Sequence, residues 1–254
     1  MFPPRRTHAA LAAAAGATGI AAVSPGDAET SPRTVAPSTL ETNSGSAVAA
    51  RRARLRARDR DRSFVLLRVR QGKRVALRSR PRGRVVGRVG ARTEFGSRTT
   101  FSVAGRRGRW LKVTTSRRAR FAWVDGRSPK LQRRRTRLSI HVDRSSRRLE
   151  LRAGKRKLRS SAVGIGAPGS PTPTGRFAVT DKLSGSRYAT AYGCCILALN
   201  GRQTKLPPGW RGGDRLAIHG GARRSTAGCV RADARILRTL LRRAPVGTPV
   251  FVKA

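Results

Sequence analysis

Apolar and polar side chains alternate from Arg137 to Val142: Leu138, Ile140 and Val142 fall on one side, Arg137, Ser139 and His141 on the other. That period predicts a half-buried strand. Asp143 to Ser146 carries turn-forming residues, and Leu149-Glu150-Leu151 resumes the alternation, so a hairpin is expected. Further strands are predicted over residues 161–166, at Phe177-Ala178-Val179 after a Pro- and Gly-rich approach, at Leu216-Ala217-Ile218, and over residues 249–252. Ile236, Leu237, Leu240 and Leu241 line one face of a helix, with Asp233 near its start and Pro245 and Gly247 ending it. Residues 182–212 show no clear period and read as a long irregular segment, which in a compact domain is more often functional than idle.

Upstream, residues 64–125 hold six short strand candidates separated by turns: Phe64 to Leu67, Val75 to Leu77, Arg84 to Val89, Thr99 to Val103, Trp110 to Val113 and Phe121 to Val124. Two basic stretches, residues 51–62 and 128–135, read as linkers. Residues 24–50 are mostly Ser, Thr, Pro, Ala and Gly, too poor in large apolar side chains to order themselves. The expected organisation is an export signal at 1–28, a disordered basic linker at 29–62, a small β-barrel at 63–127 and a catalytic domain at 136–254. The expected class is mainly β with one helix in the C-terminal half.

Composition adds a strong charge. The 254 residues hold 57 Lys and Arg against 12 Asp and Glu, a net +45. Such a field gathers polyanions, so anionic wall polymers, lipid and nucleic acid all qualify, and charge alone does not choose among them. Arg5 and Arg6 precede an Ala-rich apolar run from Ala9 to Val23, with small-residue sites near Ala22 and Ala28. This reads as a secretory signal, with a retained anchor as the alternative; the run is short for a membrane span. Export and the lack of a binding motif argue against a specific nucleic-acid partner.

Three cysteines are an odd number for an exported chain, which leaves at least one thiol free or paired with another molecule. Cys194 and Cys195 are adjacent, and they read as small buried hydrophobes because a bond between neighbours strains the peptide. No metal site is expected: there is no Cys-x-x-Cys pair, and His8, His141 and His219 are scattered. The third cysteine has a histidine ten positions before it, in Ile218-His219-Gly220-Gly221 and Thr226-Ala227-Gly228-Cys229-Val230-Arg231. A thiol nucleophile needs a base, and its tetrahedral adduct needs amide donors, which a glycine-permitted tight turn can aim.

These residues resemble the Ser/Thr-x-Gly-Cys-Ile/Val-Arg signature of the L,D-transpeptidases (the YkuD family), and Ile218-His219-Gly220 resembles the family's other half-motif. Pro173-Thr174-Gly175-Arg176-Phe177, in the right order upstream, is similar to the family's Pro-x-Gly-x-Phe element. The resemblance implies an antiparallel β-sandwich and acyl transfer on peptidoglycan stem peptides through a Cys229 thioester, with no cofactor. It casts Cys229 as nucleophile and His219 as base. The amides of Gly228 and Cys229 would form the oxyanion hole, Arg231 would clamp a substrate carboxylate, and Thr226, Gly220 and Tyr192 would contact substrate. Arg223 and Arg224, together with a helix start soon after Cys229, are expected to favour the thiolate. Two departures stand out: Thr226-Ala227 replaces the Ser-His of many members, and the His-to-Cys loop is short. The partner orienting His219 is left open between Asp214 and a backbone carbonyl.

The competing outcomes are hydrolysis of the same thioester, an L,D-carboxypeptidase activity, or non-catalytic wall binding. Val75 to Pro81, Gly108 to Val113 and Ala122 to Val124 resemble a bacterial Src-homology-type barrel, which implies wall or peptide binding. Trp110 and Trp123 would line its groove or, by the commoner use of such side chains, fill its core. A monomer at the outer face of the cytoplasmic membrane or in the wall is expected.

Overall fold

The computed structural model of the chain describes residues 48, 49, 51, 63–116, 120–221 and 225–254. The expected signal and most of the expected linker lie outside these residues; Val48, Ala49 and Arg51 are helical and belong to a separate unit, Pro3–Ala57. Every strand belongs to the unit that includes Arg58–Ala254.

Strands β1 (Phe64–Val69), β2 (Val75–Arg78), β3 (Val85–Val89), β4 (Thr100–Arg107), β5 (Trp110–Thr114) and β6 (Phe121–Asp125) fall where alternation places them. A seventh, β7 (Leu131–Thr136), occupies the stretch expected to be a basic linker. It pairs antiparallel with β1 along its whole length, Phe64 opposite Thr136 and Val69 opposite Leu131. Leu131 and Thr136 are buried while Arg133, Arg134 and Arg135 face solvent, so the arginines mask a strand rather than mark a linker. The sheet order is β3-β2-β6-β5-β4-β1-β7. Its core gathers Leu67, Val69, Leu77, Phe101, Leu111, Val113 and Val124. Trp110 and Trp123 are only partly buried and alternate with the core residues Leu111 and Val124, so neither fills the core. The guanidinium groups of Arg78 and Arg109 stack instead over the Trp110 ring, at 5.7 and 5.9 Å.

Only Arg137 separates β7 from the second half, which comprises β8 (Leu138–Asp143), β9 (Arg148–Ala153), β10 (Arg156–Gly164), β11 (Gly175–Ser184), β12 (Cys195–Arg202), β13 (Arg215–His219), β14 (Val230–Ala232), helix α1 (Ala234–Arg243) and β15 (Pro249–Lys253). These strands form a single closed barrel, β10-β14-β13-β12-β11-β15-β8-β9, rather than the expected antiparallel sandwich. Two neighbouring pairs are parallel, β13 with β14 and β15 with β8. The region expected to be irregular contains β12, buried from Cys195 to Gly201. A strand covered on both faces reads as a continuous apolar run, so alternation does not reveal it. Asp233 caps α1 by accepting a hydrogen bond from Ile236 N at 2.9 Å. Ile236, Leu237 and Leu240 then bury against the barrel core with Leu197 and Val179.

Cys194 and Cys195 form a disulfide with each other (Cα–Cα 3.7 Å), not the free buried thiols expected. The two halves meet across β11 and β12. Arg176 donates to Val103 O at 2.5 Å. Asn200 accepts from Ala178 N at 2.7 Å and donates to Thr115 O at 3.1 Å, so its buried amide is satisfied from both halves.

Candidate active site

Parallel pairing of Ile218 with Val230 and of His219 with Arg231 fixes the register of the site. Leu216, Ile218, Val230 and Ala232 point into the barrel core. By strand alternation Ala217, His219, Cys229 and Arg231 share the opposite face. One loop, residues 220–229, joins the two strands; Ala222, Arg223 and Arg224 lie outside the described residues, and with them the charge expected of the two arginines.

The turn before Cys229 is stapled by Thr226. Its hydroxyl donates to Cys229 O at 2.5 Å and accepts from Gly228 N at 3.2 Å. Thr226, expected to contact substrate, thus shapes the turn through its hydroxyl. The same bond engages the Gly228 amide, which the oxyanion hole was expected to use, and leaves Cys229 N as the donor of that pair. Gly228 itself sits at φ +107°, and a Cβ there would collide with Gln203 Nε2. Gln203 in turn donates to Pro171 O at 2.9 Å. Gly166 packs its Cα face against Gly228 and Ser170, and donates to Thr172 Oγ1 at 2.8 Å. The segment leading into the Pro-x-Gly-x-Phe element thus packs against the turn before Cys229. Gly228→Ala combines a left-handed backbone with a side-chain collision, and is expected to cost about 1–3 kcal/mol and to displace Cys229. Thermal unfolding together with turnover would check this.

His219 is buried, with Nδ1 2.7 Å from Gly220 O. A carbonyl only accepts, so Nδ1 carries the proton and Nε2 keeps its lone pair. The backbone carbonyl is therefore the orienting partner; Asp214 is engaged elsewhere, with Arg202 at 2.5 Å. Gly220, expected to contact substrate, holds this arrangement from within, its N–H donating to Tyr192 O at 2.9 Å. The Tyr192 ring meets the imidazole edge-on, with centroids 5.1 Å apart. Burial pushes the Tyr192 hydroxyl up, and the sulfur of Cys229 adds to that. Arg231 donates from Nη1 to Gly221 O, tying the cysteine motif to the histidine motif.

Burial holds His219 below its ordinary 6.5, and the Arg231 charge lowers it further against the opposing Gly220 bond. Burial also pushes the Cys229 thiol up to about 11, despite a backbone hydrogen bond at Ala217. The thiol lies 3.8 Å from Arg215 O. The expected help from a helix N-terminus is missing because β14 and the cap Asp233 separate Cys229 from α1, and the dipole acts only within about a turn. Both shifts favour the uncharged forms, thiol and imidazole. The structure thus gathers Cys229, His219, Gly220, Thr226, Gly228, Arg231 and Tyr192 in one place. Gln203 and Arg215, which sequence reasoning missed, support the turn from beneath.

Residues 137–252 match the family described as YkuD, the L,D-transpeptidase catalytic domain. Among solved structures, an Enterococcus faecium L,D-transpeptidase is 20% identical, with 46% of this chain and 49% of that one covered and a TM-score of 0.36. L,D-transpeptidase 1 of Mycobacterium tuberculosis is 20% identical, with 53% and 73% covered and a TM-score of 0.35. An L,D-transpeptidase of Xylanimonas cellulosilytica is 23% identical, with 46% and 61% covered and a TM-score of 0.34. The chain spans about half the length of the enterococcal protein. No curated protein matches the chain. The family match covers residues 137–252, a little under half of the chain, and it is this region that resembles an L,D-transpeptidase catalytic domain.

Proposed function

We propose that this chain is an exported cysteine acyltransferase that makes L,D cross-links between peptidoglycan stem peptides. The observation that carries the reading is the free Nε2 lone pair of His219 on the same strand face as the Cys229 thiol, within a matched catalytic domain. Nε2 takes the thiol proton as Sγ attacks the carbonyl of the donor stem's third residue. The Sγ–C bond forms, the C–N bond to the terminal D-Ala breaks, and the imidazolium returns the proton to the leaving amine. An acceptor amine then attacks the thioester, gives its proton to His219, and releases Cys229 as a thiol. The Cys229 amide stabilises the oxyanion, and Arg231 presents its remaining guanidinium donors to a donor carboxylate.

The N-terminal sheet, read as a Src-homology-type module, and the excess positive charge bring the enzyme to peptides and anionic polymers of the wall. Export through the N-terminal signal places it at the outer face of the membrane or in the wall, and the cycle needs one copy of the chain.

Product analysis on purified tetrapeptide stems tests the outcome of the cycle. Cross-linked dimer with one D-Ala released per link is expected. Trimmed tripeptide alone would make it a carboxypeptidase, and unchanged substrate with wall binding intact would make it a non-catalytic binder.

A further inference from the structure

In a chain carrying 57 cationic side chains, acidic residues are scarce: 12 in all, of which seven are described. Three of those seven, Glu94, Asp181 and Asp214, act on a single guanidinium, that of Arg215. The Arg215 side chain is 7% exposed and lies at the start of β13. It donates to Glu94 at 2.5 Å, to Thr180 Oγ1 at 3.1 Å and to Leu199 O. Glu94 comes from the loop between β3 and β4, in the other half of the molecule.

The residues flanking Glu94 reach the same place. Thr93 donates to Asp181, which is fully buried and whose second oxygen has no hydrogen-bond partner. The Phe95 ring lies 5.9 Å from the Arg215 guanidinium and meets Tyr188 edge-on at 6.3 Å. Tyr188 belongs to the short turns that lead to Tyr192. The loop is braced internally: Thr93 N donates to Ser97 O at 2.9 Å, Gly96 N to Thr93 O at 3.0 Å and Ser97 N to Thr93 Oγ1 at 3.1 Å. The loop so braced touches Arg215 through Glu94 and Phe95, and the segment leading to Tyr192 through Phe95.

Arg215 also touches the cysteine turn, since its backbone carbonyl lies 3.8 Å from Cys229 Sγ. An exposed ion pair would matter little. Here the cation is buried although Glu94 itself is half-exposed, so loss of that carboxylate removes the ion-pair partner of a buried charge and leaves only Asp181 and Asp214 to offset it beneath the site. We infer that the Thr93-Glu94-Phe95 loop of the N-terminal module is a positioning element of the transpeptidase site, with Glu94 setting β13, and through it Cys229, by way of Arg215. The N-terminal module is then part of the catalytic machinery as well as a wall-binding accessory. This rests on the reading of Cys229 as nucleophile.

The test uses the full chain with Glu94→Gln and the charge-retaining Glu94→Asp. Three quantities are read: kcat and KM on a tetrapeptide stem, the rate at which iodoacetamide alkylates Cys229, and Tm. A displacement of this kind is expected to lower kcat of Glu94→Gln by about ten- to a hundredfold with KM within about twofold, and to change the alkylation rate. Glu94→Asp should recover most of the kcat loss. A lower Tm with wild-type kcat and alkylation rate would overturn the inference, and so would a loss confined to KM. If the wild-type chain itself does not turn over the stem, the proposed function fails; the alkylation rates then decide the positioning role by themselves.

Discussion

Cys229→Ala is expected to lower D-Ala release from a tetrapeptide stem by more than about a thousandfold, because the proposed cycle runs through its thiol. Cys194 and Cys195 are bonded to each other, which leaves Cys229 as the free thiol. The contacts that shape the turn belong to its neighbours: the Thr226 hydroxyl bonds to backbone atoms, and Gly228 and Gln203 pack without the sulfur. Unfolding of the variant should therefore stay close to that of the wild-type chain, so lost turnover reports chemistry and not collapse. A continuous assay for free D-Ala, run beside thermal unfolding, checks both halves. Activity near the wild-type level would remove Cys229 from the reaction.

The second large effect concerns His219. His219→Gln should reduce kcat/KM by about 10²–10⁴-fold, the usual worth of a positioned acid–base group. The wild-type pH profile follows from the direction of the His219 shift. Only neutral imidazole can accept the thiol proton, and burial holds its pKa below 6.5. The rate therefore climbs as pH rises through that lowered pKa and levels off above it. His219→Gln should lose this acidic limb along with the rate. Cys229 behaves differently towards a small alkylating reagent, which needs the thiolate. With the thiol pushed up to about 11, alkylation in the free protein should be slow at neutral pH and increase steadily toward alkaline values. A preformed thiolate–imidazolium pair would instead give fast alkylation at pH 7.

The candidate site was legible because it rests on rare residue types at short spacing: one histidine, one unpaired cysteine, and glycines where the chain must turn. The β8–β9 hairpin and α1 were equally legible, since each buries one face and exposes the other. What escaped was structure without a period. Strand β12 is apolar on both faces, and β14 spans three residues, too short to show any alternation. β7 hides behind three exposed arginines and exists because β1 offers it a full ladder. The helix dipole was overestimated for the same reason, as β14 intervenes unseen. The roles of Gln203, Arg215 and Glu94 come from contacts between distant segments, Glu94 and Arg215 being 121 residues apart. No local signal marks such a pair. A charge-poor chain would have made the ion pair stand out, but among 57 cations one arginine is invisible.

The most direct test of the central claim is intact mass of the wild-type chain mixed with a tetrapeptide stem lacking an acceptor amine, followed by peptide mapping. The account predicts a gain equal to the stem minus D-Ala, located on Cys229 and absent from Cys229→Ala. An adduct on another residue, or none while D-Ala is still released at the wild-type rate by Cys229→Ala, would contradict it.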